Sequence, residues 1–397
     1  MARNRPQAKG SAGARGKDRA KDRAKDRAKD RKAPPGRSKD GSKTGPKIHR
    51  ADAVQSPARE KPSATARPDR AAQAERPARH PPALGRLEER TALLLETPAD
   101  RDYALLDSGE GQKLERYGDL TIVRPEGQAI WQRQLPPERW QQADAVFTGD
   151  TDEEGLGRWH FPAGQRAETF PMHWDGLAYW GRFTSFRHTG VFPEQAAHWR
   201  FMEAGIRTWQ AGMDASGEPL RLLNLFGYTG IASLVAARAG AHVTHVDASR
   251  KAITWAHENQ QRAGLQDRPI RWICEDAVKF CEREVRRGNR YEAILLDPPA
   301  YGRGPKGEVW QLFDDLPHMA DLCRELVSDR PAFVILTAYT IRASFLAVHE
   351  LMQEVFGDRA GRLESGELTI ATENSGRRLS TSMFSRWIAP HSAGEKS

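Results

Sequence analysis

The chain has 397 residues and a formal net charge of +8, with 61 Lys and Arg against 53 Asp and Glu. This length predicts two or three domains, and since the sequence contains no long apolar run, we expect neither a secretory signal nor a membrane span. The three cysteines, Cys274, Cys281 and Cys323, show no CxxC spacing and no matching His pair. They argue against a disulfide framework or a bound metal and favour a reducing, cytoplasmic setting.

The basic charge is concentrated in the N-terminal segment. Residues 1–86 carry 25 Lys and Arg against 9 Asp and Glu, so the remaining residues carry 36 against 44. This segment repeats Lys-Asp-Arg-Ala and nearly lacks large apolar residues, so burial cannot offset the entropy of ordering it, and we predict a disordered tail. A flexible polycation attracts polyanions, which makes RNA the expected partner. A solvated linker is the alternative interpretation.

Residues 87–192 are predicted to form a small Trp-rich β subdomain. Six of the eleven tryptophans lie in or beside this segment, at Trp131, Trp140, Trp159, Trp174, Trp180 and Trp199. Tyr103–Asp107 and Leu120–Arg124 have the composition of short strands, and Asp175-Gly176 between two aromatic-rich runs predicts a hairpin. We expect most of these aromatic residues to be core, while a minority could stack on unpaired bases.

Residues 193–397 show the alternation of a largely parallel α/β sheet. Pro193 suits the first turn of a helix that reaches about Trp209. Strands are predicted at Arg221–Phe226, His242–Asp247, Ile270–Glu275, Tyr291–Asp297 and Ala332–Ala338, and helices at Ile231–Ala239, Arg250–Ala263, Ala277–Arg286, Val309–Val327 and Ala343–Phe356. Two final strand-like runs, Arg362–Thr372 and Ser382–Ile388, predict an antiparallel hairpin. The expected fold is therefore Rossmann-like, with a mostly parallel seven-stranded sheet of the class I methyltransferase type.

The stretch from Leu222 to Gly230 ends the first of these strands in a glycine-containing turn. Gly227 and Gly230 would allow the backbone to approach a cofactor closely. Asp247, at the end of the next strand, could accept hydrogen bonds from ribose hydroxyls, and Asp276 after the third strand could accept one from an adenine amine. Acidic strand ends suit the positive charges of S-adenosylmethionine, whereas the turn lacks the GxGxxG pattern that cradles the pyrophosphate of NAD.

The fourth strand ends in Asp297-Pro-Pro-Ala-Tyr-Gly302. Successive prolines fix the backbone and remove amide donors, so this turn would offer a carboxylate and carbonyl oxygens to a planar substrate. Asp297, Pro298 and Tyr301 are the predicted catalytic residues, with Tyr301 stacking on the substrate. Catalysis would depend on orientation of the methyl acceptor rather than on acid–base chemistry. A lone Asp-Pro-Pro is weak evidence, but its agreement with the other strand ends predicts a methyltransferase.

Three motifs carry a family resemblance: Asn224-Leu-Phe-Gly-Tyr-Thr-Gly230, Thr189-Gly-Val-Phe-Pro-Glu-Gln195, and Asp297-Pro-Pro-Ala-Tyr301 followed by Lys306. From about His188 to Ile388 the chain resembles the bacterial large-subunit ribosomal RNA methyltransferases that include cytosine-C5 and guanine-N7 enzymes. The resemblance implies S-adenosylmethionine as cofactor and RNA as partner. His188 is a candidate substrate contact because it adjoins the family-like Thr189-Gly190. Arg303 and Lys306, in the glycine-rich loop after Asp-Pro-Pro, are predicted either to grip phosphate or to be solvated loop charges. The expected cofactor residues are Gln195, Asn224, Phe226, Gly227, Thr229, Gly230, Asp247, Ala248, Asp276, Ala277 and Asp297.

One departure from that family narrows the expected chemistry. Its cytosine-C5 enzymes place a nucleophilic Cys after the fifth strand, because C5 becomes reactive only after a thiolate adds to C6. Here Leu336-Thr-Ala-Tyr339 occupies that place, and Cys281 and Cys323 fall on apolar helix faces. We therefore predict methylation of a base nitrogen in ribosomal RNA without a covalent Cys intermediate. The alternatives are a methyltransferase acting on a protein or small molecule, and a non-catalytic RNA-binding protein that retains the cofactor fold.

Overall fold

A computed structural model describes residues 92–149, 157–212, 217–339 and 343–390. The basic tail predicted for residues 1–86 lies outside these ranges. Within the described ranges, no helix is long and apolar enough to cross a membrane.

The N-terminal part of the described chain is rich in β structure, as predicted. Its elements are β1 (Leu93–Thr97), β2 (Tyr103–Gly109), β3 (Gln112–Tyr117), β4 (Leu120–Pro125), α1 (Pro137–Gln141), β5 (Ala145–Gly149), β6 (Gly157–His160), β7 (Thr169–Trp174) and β8 (Leu177–Arg182). Strands β2 to β6 form one sheet in sequence order, and β7 pairs with β8 as a separate hairpin. The predicted turn is present: Asp175 and Gly176 have φ of 45° and 78°, the left-handed pair that a tight two-residue hairpin requires.

The C-terminal part alternates between strands and helices over the predicted segments. A 3-10 turn at Pro193–Gln195 leads into α2 (Ala196–Ala211). The elements that follow are β9 (Arg221–Leu225), α3 (Ile231–Arg238), β10 (His242–Asp247), α4 (Arg250–Arg262), β11 (Ile270–Cys274), α5 (Ala277–Arg286), β12 (Ala293–Leu296), β13 (Tyr301–Arg303), β14 (Val309–Gln311), α6 (Leu312–Leu326), β15 (Phe333–Tyr339), α7 (Phe345–Phe356), β16 (Arg362–Ala371) and β17 (Arg378–Ile388).

These elements build one large sheet in the order β1-β16-β17-β15-β12-β9-β10-β11. Strand β17 runs antiparallel to both of its neighbours, and the other pairings are parallel, so the predicted parallel sheet with an antiparallel C-terminal hairpin is confirmed. The sheet has eight strands instead of seven because β1 adds to its edge. Gly366 of β16 permits this pairing, since a Cβ there would lie 1.8 Å from the carbonyl oxygen of Leu93.

Two apolar layers cover the two faces of the large sheet. Alternate residues of each central strand point to opposite sides: Leu222 and Leu295 belong to one cluster, whereas Leu223 and Ile294 belong to the other. Helices α2 and α3 and the β7–β8 hairpin pack in the first layer, and helices α5, α6 and α7 pack in the second. Most of the aromatic residues predicted as core are buried; Trp174 meets Trp199 edge to face, with ring centroids 5.1 Å apart.

Candidate active site

A cleft of about 370 Å³ opens where β9, β10, β11 and β12 end. Its walls come from the turn after β9, the first residues after β10 and β11, the Asp-Pro-Pro segment after β12, and the segment that precedes α2. Ligands of open α/β sheets bind at this edge, beyond the carboxyl ends of the strands. The polar side chains predicted from the strand ends therefore meet in one place.

The turn after β9 is held in an unusual backbone conformation. Phe226 and Tyr228 have φ of 57° and 51°, which costs a side-chain-bearing residue about 1–3 kcal/mol. The carboxylate of Asp247 helps to offset this cost, because its Oδ2 accepts the Tyr228 amide at 2.9 Å. With this backbone conformation, the side chains of both residues lie in the wall of the cleft.

The two glycines of this turn are required by packing within the protein. A Cβ at Gly227 would lie 2.4 Å from the ring of His245, and one at Gly230, where φ is 82°, would lie 3.0 Å from Ala256. The sequence predicts that both glycines allow close approach of a cofactor, whereas a Cβ at either position would meet side chains of the protein itself. His245 itself is fully buried, and its Nδ1 lies 3.0 Å from the Ser233 hydroxyl.

Asp247 and Asp276 are oriented by backbone amides. Besides the Tyr228 amide, Asp247 accepts the Ser249 amide on Oδ1 at 2.7 Å. Asp276 caps α5 by accepting the Lys279 amide at 3.0 Å. The pKa of both carboxyls lies above its ordinary value, because the effect of burial outweighs the lowering effect of these amide hydrogen bonds. Each carboxylate oxygen has more than one lone pair, so both side chains keep acceptor capacity toward the cleft.

Asp297, directly after β12, is a partly buried acid of the cleft. Its Oδ2 accepts a hydrogen bond from Nε2 of Gln195 at 3.2 Å, and the same nitrogen donates to the Tyr339 hydroxyl at 2.6 Å. The other oxygen, Oδ1, is buried without a hydrogen-bond partner among the residues that the structure describes. Burial, followed by the nearby Glu194 carboxylate, holds the pKa of Asp297 well above its ordinary range. A buried acceptor of this kind is suited to a donor supplied by a ligand.

The residues after Asp297 differ in part from the expectation. The carbonyl of Pro299 accepts the indole N–H of Trp310 at 2.8 Å, and the carbonyl of Ala300 accepts the Leu312 amide at 3.0 Å. Both oxygens thus already have a donor inside the protein. Tyr301 lies in β13, paired with Gln311, and is not part of the cleft lining.

Other aromatic rings form one wall of the cleft. Phe192 lies at their centre, with its ring centroid 5.0 Å from that of His188, 5.0 Å from Tyr339 and 5.9 Å from Tyr228. Sequence reasoning assigned no site role to Phe192, Tyr228 or Tyr339. Signals were present, because Phe192 and Tyr228 fall within the two family-like motifs and Tyr339 ends the fifth strand of the alternation.

The predicted residues divide into three groups by position. The cleft contains His188, Phe226, Asp247, Ala248, Asp276, Ala277, Asp297, Pro298 and Arg303. A smaller space of about 60 Å³, here called the inner cavity, adjoins the cleft between α2 and strands β9, β12 and β15. It contains Gln195, Asn224, Gly227 and Thr229 and shares Asp297 with the cleft. Gly230, Tyr301 and Lys306 line neither space, and Lys306 is exposed.

Asn224 and Thr229 are held by hydrogen bonds that shape the inner cavity. The Asn224 amide donates to the Ser233 hydroxyl at 2.9 Å, and the Thr229 hydroxyl donates to the carbonyl of Gly190 at 2.5 Å. The second of these bonds ties the β9 turn to the segment that carries His188. Each side chain thus makes a hydrogen bond within the protein framework that fixes its position.

The cysteines lie outside the cleft lining. Cys281 and Cys323 are buried, and burial raises the pKa of both thiols, whereas Cys274 is exposed at the end of β11. Across the described ranges, no group of three His, Cys, Asp or Glu side chains is placed to hold a metal ion. The described cleft therefore presents carboxylates and aromatic rings, and its lining includes no thiol.

Comparison with known proteins gives the family. Residues 206–316 match the family described as "Conserved hypothetical protein 95". Among curated proteins, the chain is 24% identical over 209 residues to ribosomal RNA large subunit methyltransferase K of Neisseria meningitidis, covering 50% of this chain and 54% of that protein. It is 30% identical over 144 residues to a putative ribosomal RNA large subunit methyltransferase of Methanocaldococcus jannaschii, covering 36% of this chain and 34% of that protein. The chain thus spans about half the length, or less, of these curated relatives.

Two solved structures extend the comparison. A putative S-adenosylmethionine-dependent methyltransferase from Streptococcus mutans shares the fold, with a TM-score of 0.54, 14% identity, and coverage of 72% of this chain and 75% of that one. The S-adenosylmethionine-dependent methyltransferase from Agrobacterium tumefaciens is 53% identical, with a TM-score of 0.71, and the match covers 76% of this chain and 98% of that one. With the carboxylates, the strained turn and the aromatic wall gathered at the carboxyl edge of its sheet, this chain belongs to the S-adenosylmethionine-dependent methyltransferases.

Proposed function

We propose that the protein methylates a nitrogen atom of a base in RNA, with ribosomal RNA as the substrate, and that it works in the cytoplasm. The observation that carries the proposal is the Asp297 carboxylate, whose buried Oδ1 lacks a partner among the described residues and which lies at the cleft beside an aromatic wall. In this assignment, residues 193–397 form the methyltransferase domain and residues 87–192 a substrate-side subdomain.

The cleft suits S-adenosylmethionine because acidic side chains stand at the carboxyl ends of three strands of the sheet, β10, β11 and β12. In our assignment Asp247 accepts the ribose hydroxyls, Asp276 accepts the adenine amine, and Phe226, Ala248 and Ala277 border the adenine. When bound, the cofactor supplies an electrophilic methyl group on a positively charged sulfur, which the carboxylates favour electrostatically. Gln195 holds Asp297 and Tyr339 in place, while Asn224, Gly227, Thr229 and Gly230 set the shape of the adjoining turn.

The aromatic wall and Asp297 together suit a flat acceptor that carries an N–H group. A base laid against Phe192, Tyr228 or Tyr339 would gain stacking energy of about 1–3 kcal/mol. Asp297 Oδ1 would accept its N–H, which fixes the nitrogen in line with the methyl group and offers an acceptor for the proton that the nitrogen loses on transfer. A nitrogen lone pair attacks directly, so this chemistry uses no thiol. The proposed contacts to the rest of the RNA are His188 and Arg303, which line the cleft, and Lys306, which lies in the loop between β13 and β14.

The choice of RNA has two supports. Curated relatives are named as large-subunit ribosomal RNA methyltransferases, and residues 1–86 carry a strong excess of Lys and Arg that suits a polyanion.

The test is methyl transfer from labelled S-adenosylmethionine to naked ribosomal RNA and to ribosomal particles, followed by mass-spectrometric mapping of the product. We expect an N-methylated base and a fall of about 100-fold or more in kcat for Asp297→Asn, because the acceptor nitrogen loses its orientation. Asp314→Asn, which changes an exposed acid in the first turn of α6, is the matched control and should retain activity.

Other outcomes separate the alternatives. Methylation of carbon 5 of cytosine would contradict the nitrogen assignment. Label appearing in protein or in a small molecule, but not in RNA, would move the enzyme to another substrate class. Tight RNA binding with no transfer to any acceptor, unchanged in Asp297→Asn, would indicate a binding protein.

A further inference from the structure

The inner cavity contains two buried polar groups that no described residue satisfies. One is Asp297, through Oδ1, and the other is His198, whose Nδ1 and Nε2 both lack a hydrogen-bond partner within the described ranges. His198 is only 3% exposed, and its ring meets that of Phe384 edge to face at 5.1 Å. Because a buried N–H or carboxylate oxygen is strongly disfavoured when it is left unpaired, a small polar ligand is expected between them.

The size of the cavity fits water. A bound water molecule needs about 10–15 Å³ of such volume, so a space of about 60 Å³ has room for about four of them. The lining favours water over an empty space, because it includes a carboxylate, an imidazole and the polar residues Asn224 and Thr337. Those groups can supply the two to four hydrogen bonds that hold a buried water in place.

We propose that the inner cavity is a water site that joins His198 to Asp297, and that His198 is a positioning residue that acts on this carboxylate through bound water. His198 lies one helical turn after Gln195, so both residues present their side chains to the cavity from the same side of the helix. Gln195 donates to Oδ2 directly, and the water held by His198 donates to one lone pair of Oδ1, which leaves the second lone pair for the acceptor N–H of the proposed function.

The charge state of His198 agrees with this role. Burial, aided by the positive charge of Arg386, lowers the pKa of His198 to about 3, so the imidazole is neutral. A neutral imidazole has one donor and one acceptor nitrogen and can hold water from either side. It therefore anchors the water without adding a charge to the cavity.

The water site has a consequence for the carboxylate. A donor at Oδ1 favours the ionised form of Asp297 and opposes the effect of burial and of Glu194. The titratable and charged groups that line the cleft with Asp297 are His188, Tyr228, Asp247, Asp276, Arg303 and Tyr339. The Glu194 carboxylate also acts on Asp297, and Arg386 acts on His198. Because these groups are common to wild type and variants, a comparison at matched pH isolates the contribution of His198.

Two variants and a control test the proposal. His198→Phe fills a similar volume but cannot hold water, His198→Gln keeps both a donor and an acceptor, and Met202→Leu alters the same cavity wall without a polar change. We expect His198→Phe to move the pH dependence of S-adenosylmethionine affinity, measured by calorimetry, upward by about one pH unit, because Asp297 loses a donor. His198→Gln should restore most of the wild-type profile, and Met202→Leu should leave it unchanged.

A high-resolution crystal structure of the wild-type protein, with and without the cofactor, provides the direct measurement and does not depend on any variant folding. Ordered water within hydrogen-bond distance of both His198 and Asp297 Oδ1 would support the proposal. A dry cavity, the amino-acid end of the cofactor in place of water, or an unshifted profile in a folded His198→Phe protein would overturn it. The role of Asp297 in transfer rests on the proposed function, but neither measurement uses an RNA substrate, so the two can fail separately.

Discussion

The buried ion pair between Glu115 and Arg124 allows a quantitative prediction. The guanidinium of Arg124 donates to both carboxylate oxygens of Glu115 at 2.7 Å and to the Tyr117 hydroxyl at 2.7 Å. Its Nη1 donates to the carbonyl of Arg187 at 3.1 Å, directly before the cleft residue His188. The two charged side chains are 0% and 6% exposed, so the pair is almost entirely removed from water.

Arg124→Met should therefore destabilise the protein strongly, because it leaves the Glu115 charge buried and unpaired. Breaking one side of a buried pair costs about 3–5 kcal/mol, which corresponds to a fall in Tm of about 10 °C for a chain of this size. Glu115→Leu combined with Arg124→Met should recover most of this loss, since neither charge remains. The matched control is Arg378→Met, which removes a more exposed pair with Glu96 and should cost no more than about 1 kcal/mol.

The pH dependence gives an independent check. Burial would raise the pKa of Glu115, but the charge and hydrogen bonds of Arg124 outweigh it, and the pKa lies below its ordinary value of 4.5. A lowered folded-state pKa contributes stability above the unfolded value and loses it as the pH falls through the folded value. The difference between wild type and Arg124→Met should thus be largest near neutral pH and shrink below about pH 5.

Urea unfolding of the four proteins, at neutral pH and at pH 4, measures both effects. A loss below about 1 kcal/mol for Arg124→Met at neutral pH would refute the reasoning from the buried pair. So would a double variant that is as unstable as the single one.

Two predictions concern the cleft itself. Gly227→Ala should lower both Tm and S-adenosylmethionine affinity, because its Cβ would lie 2.4 Å from the His245 ring and 2.9 Å from the Asn224 amide; thermal unfolding and calorimetry measure the two effects. Gly127→Ala, where a Cβ meets nothing within 4 Å, is the control, and equal behaviour of the two variants would contradict the packing argument. Gln195→Leu should raise the pKa of Asp297 further, because Oδ2 loses its donor. In the proposed function the ionised carboxylate is the active form, so the acid limb of the kcat profile should move to higher pH, and an unmoved limb would exclude this role for Gln195.

Regular alternation made the large sheet predictable from the sequence. Buried parallel strands such as β12 are continuous apolar runs, and the helices between them carry apolar residues at helical spacing, so local composition specifies both. Strand β3 was not predicted because Gln112-Lys-Leu-Glu-Arg-Tyr117 is mostly polar. The burial of Glu115 depends on Arg124, which reaches it only after the sheet has formed.

The sequence predicted those site residues that directly follow the end of a strand, because strand ends lie at one edge of the sheet. Asp247, Asp276 and Asp297 follow strand ends and meet at the cleft, as strand polarity requires. Tyr301 was expected to face the substrate because it is close in sequence to Asp297, but a short hairpin removes it from the lining, and Tyr339 from a separate strand contributes the ring. Contacts of that kind depend on chain segments that are far apart in sequence, and local patterns do not encode them.

The pairing of β1 with β16 also bears on how the protein avoids self-association. Strand β16 would otherwise end the sheet with a free row of backbone amides and carbonyls, which is a template for another chain to add to. Residues 93–97 cover that row in parallel register from Leu93 opposite Gly366 to Thr97 opposite Ile370. Strand β1 therefore covers the edge of the large sheet. A fragment that begins at residue 193 would leave the backbone of β16 open to pairing with another chain, while it would retain Asp247, Asp276 and Asp297.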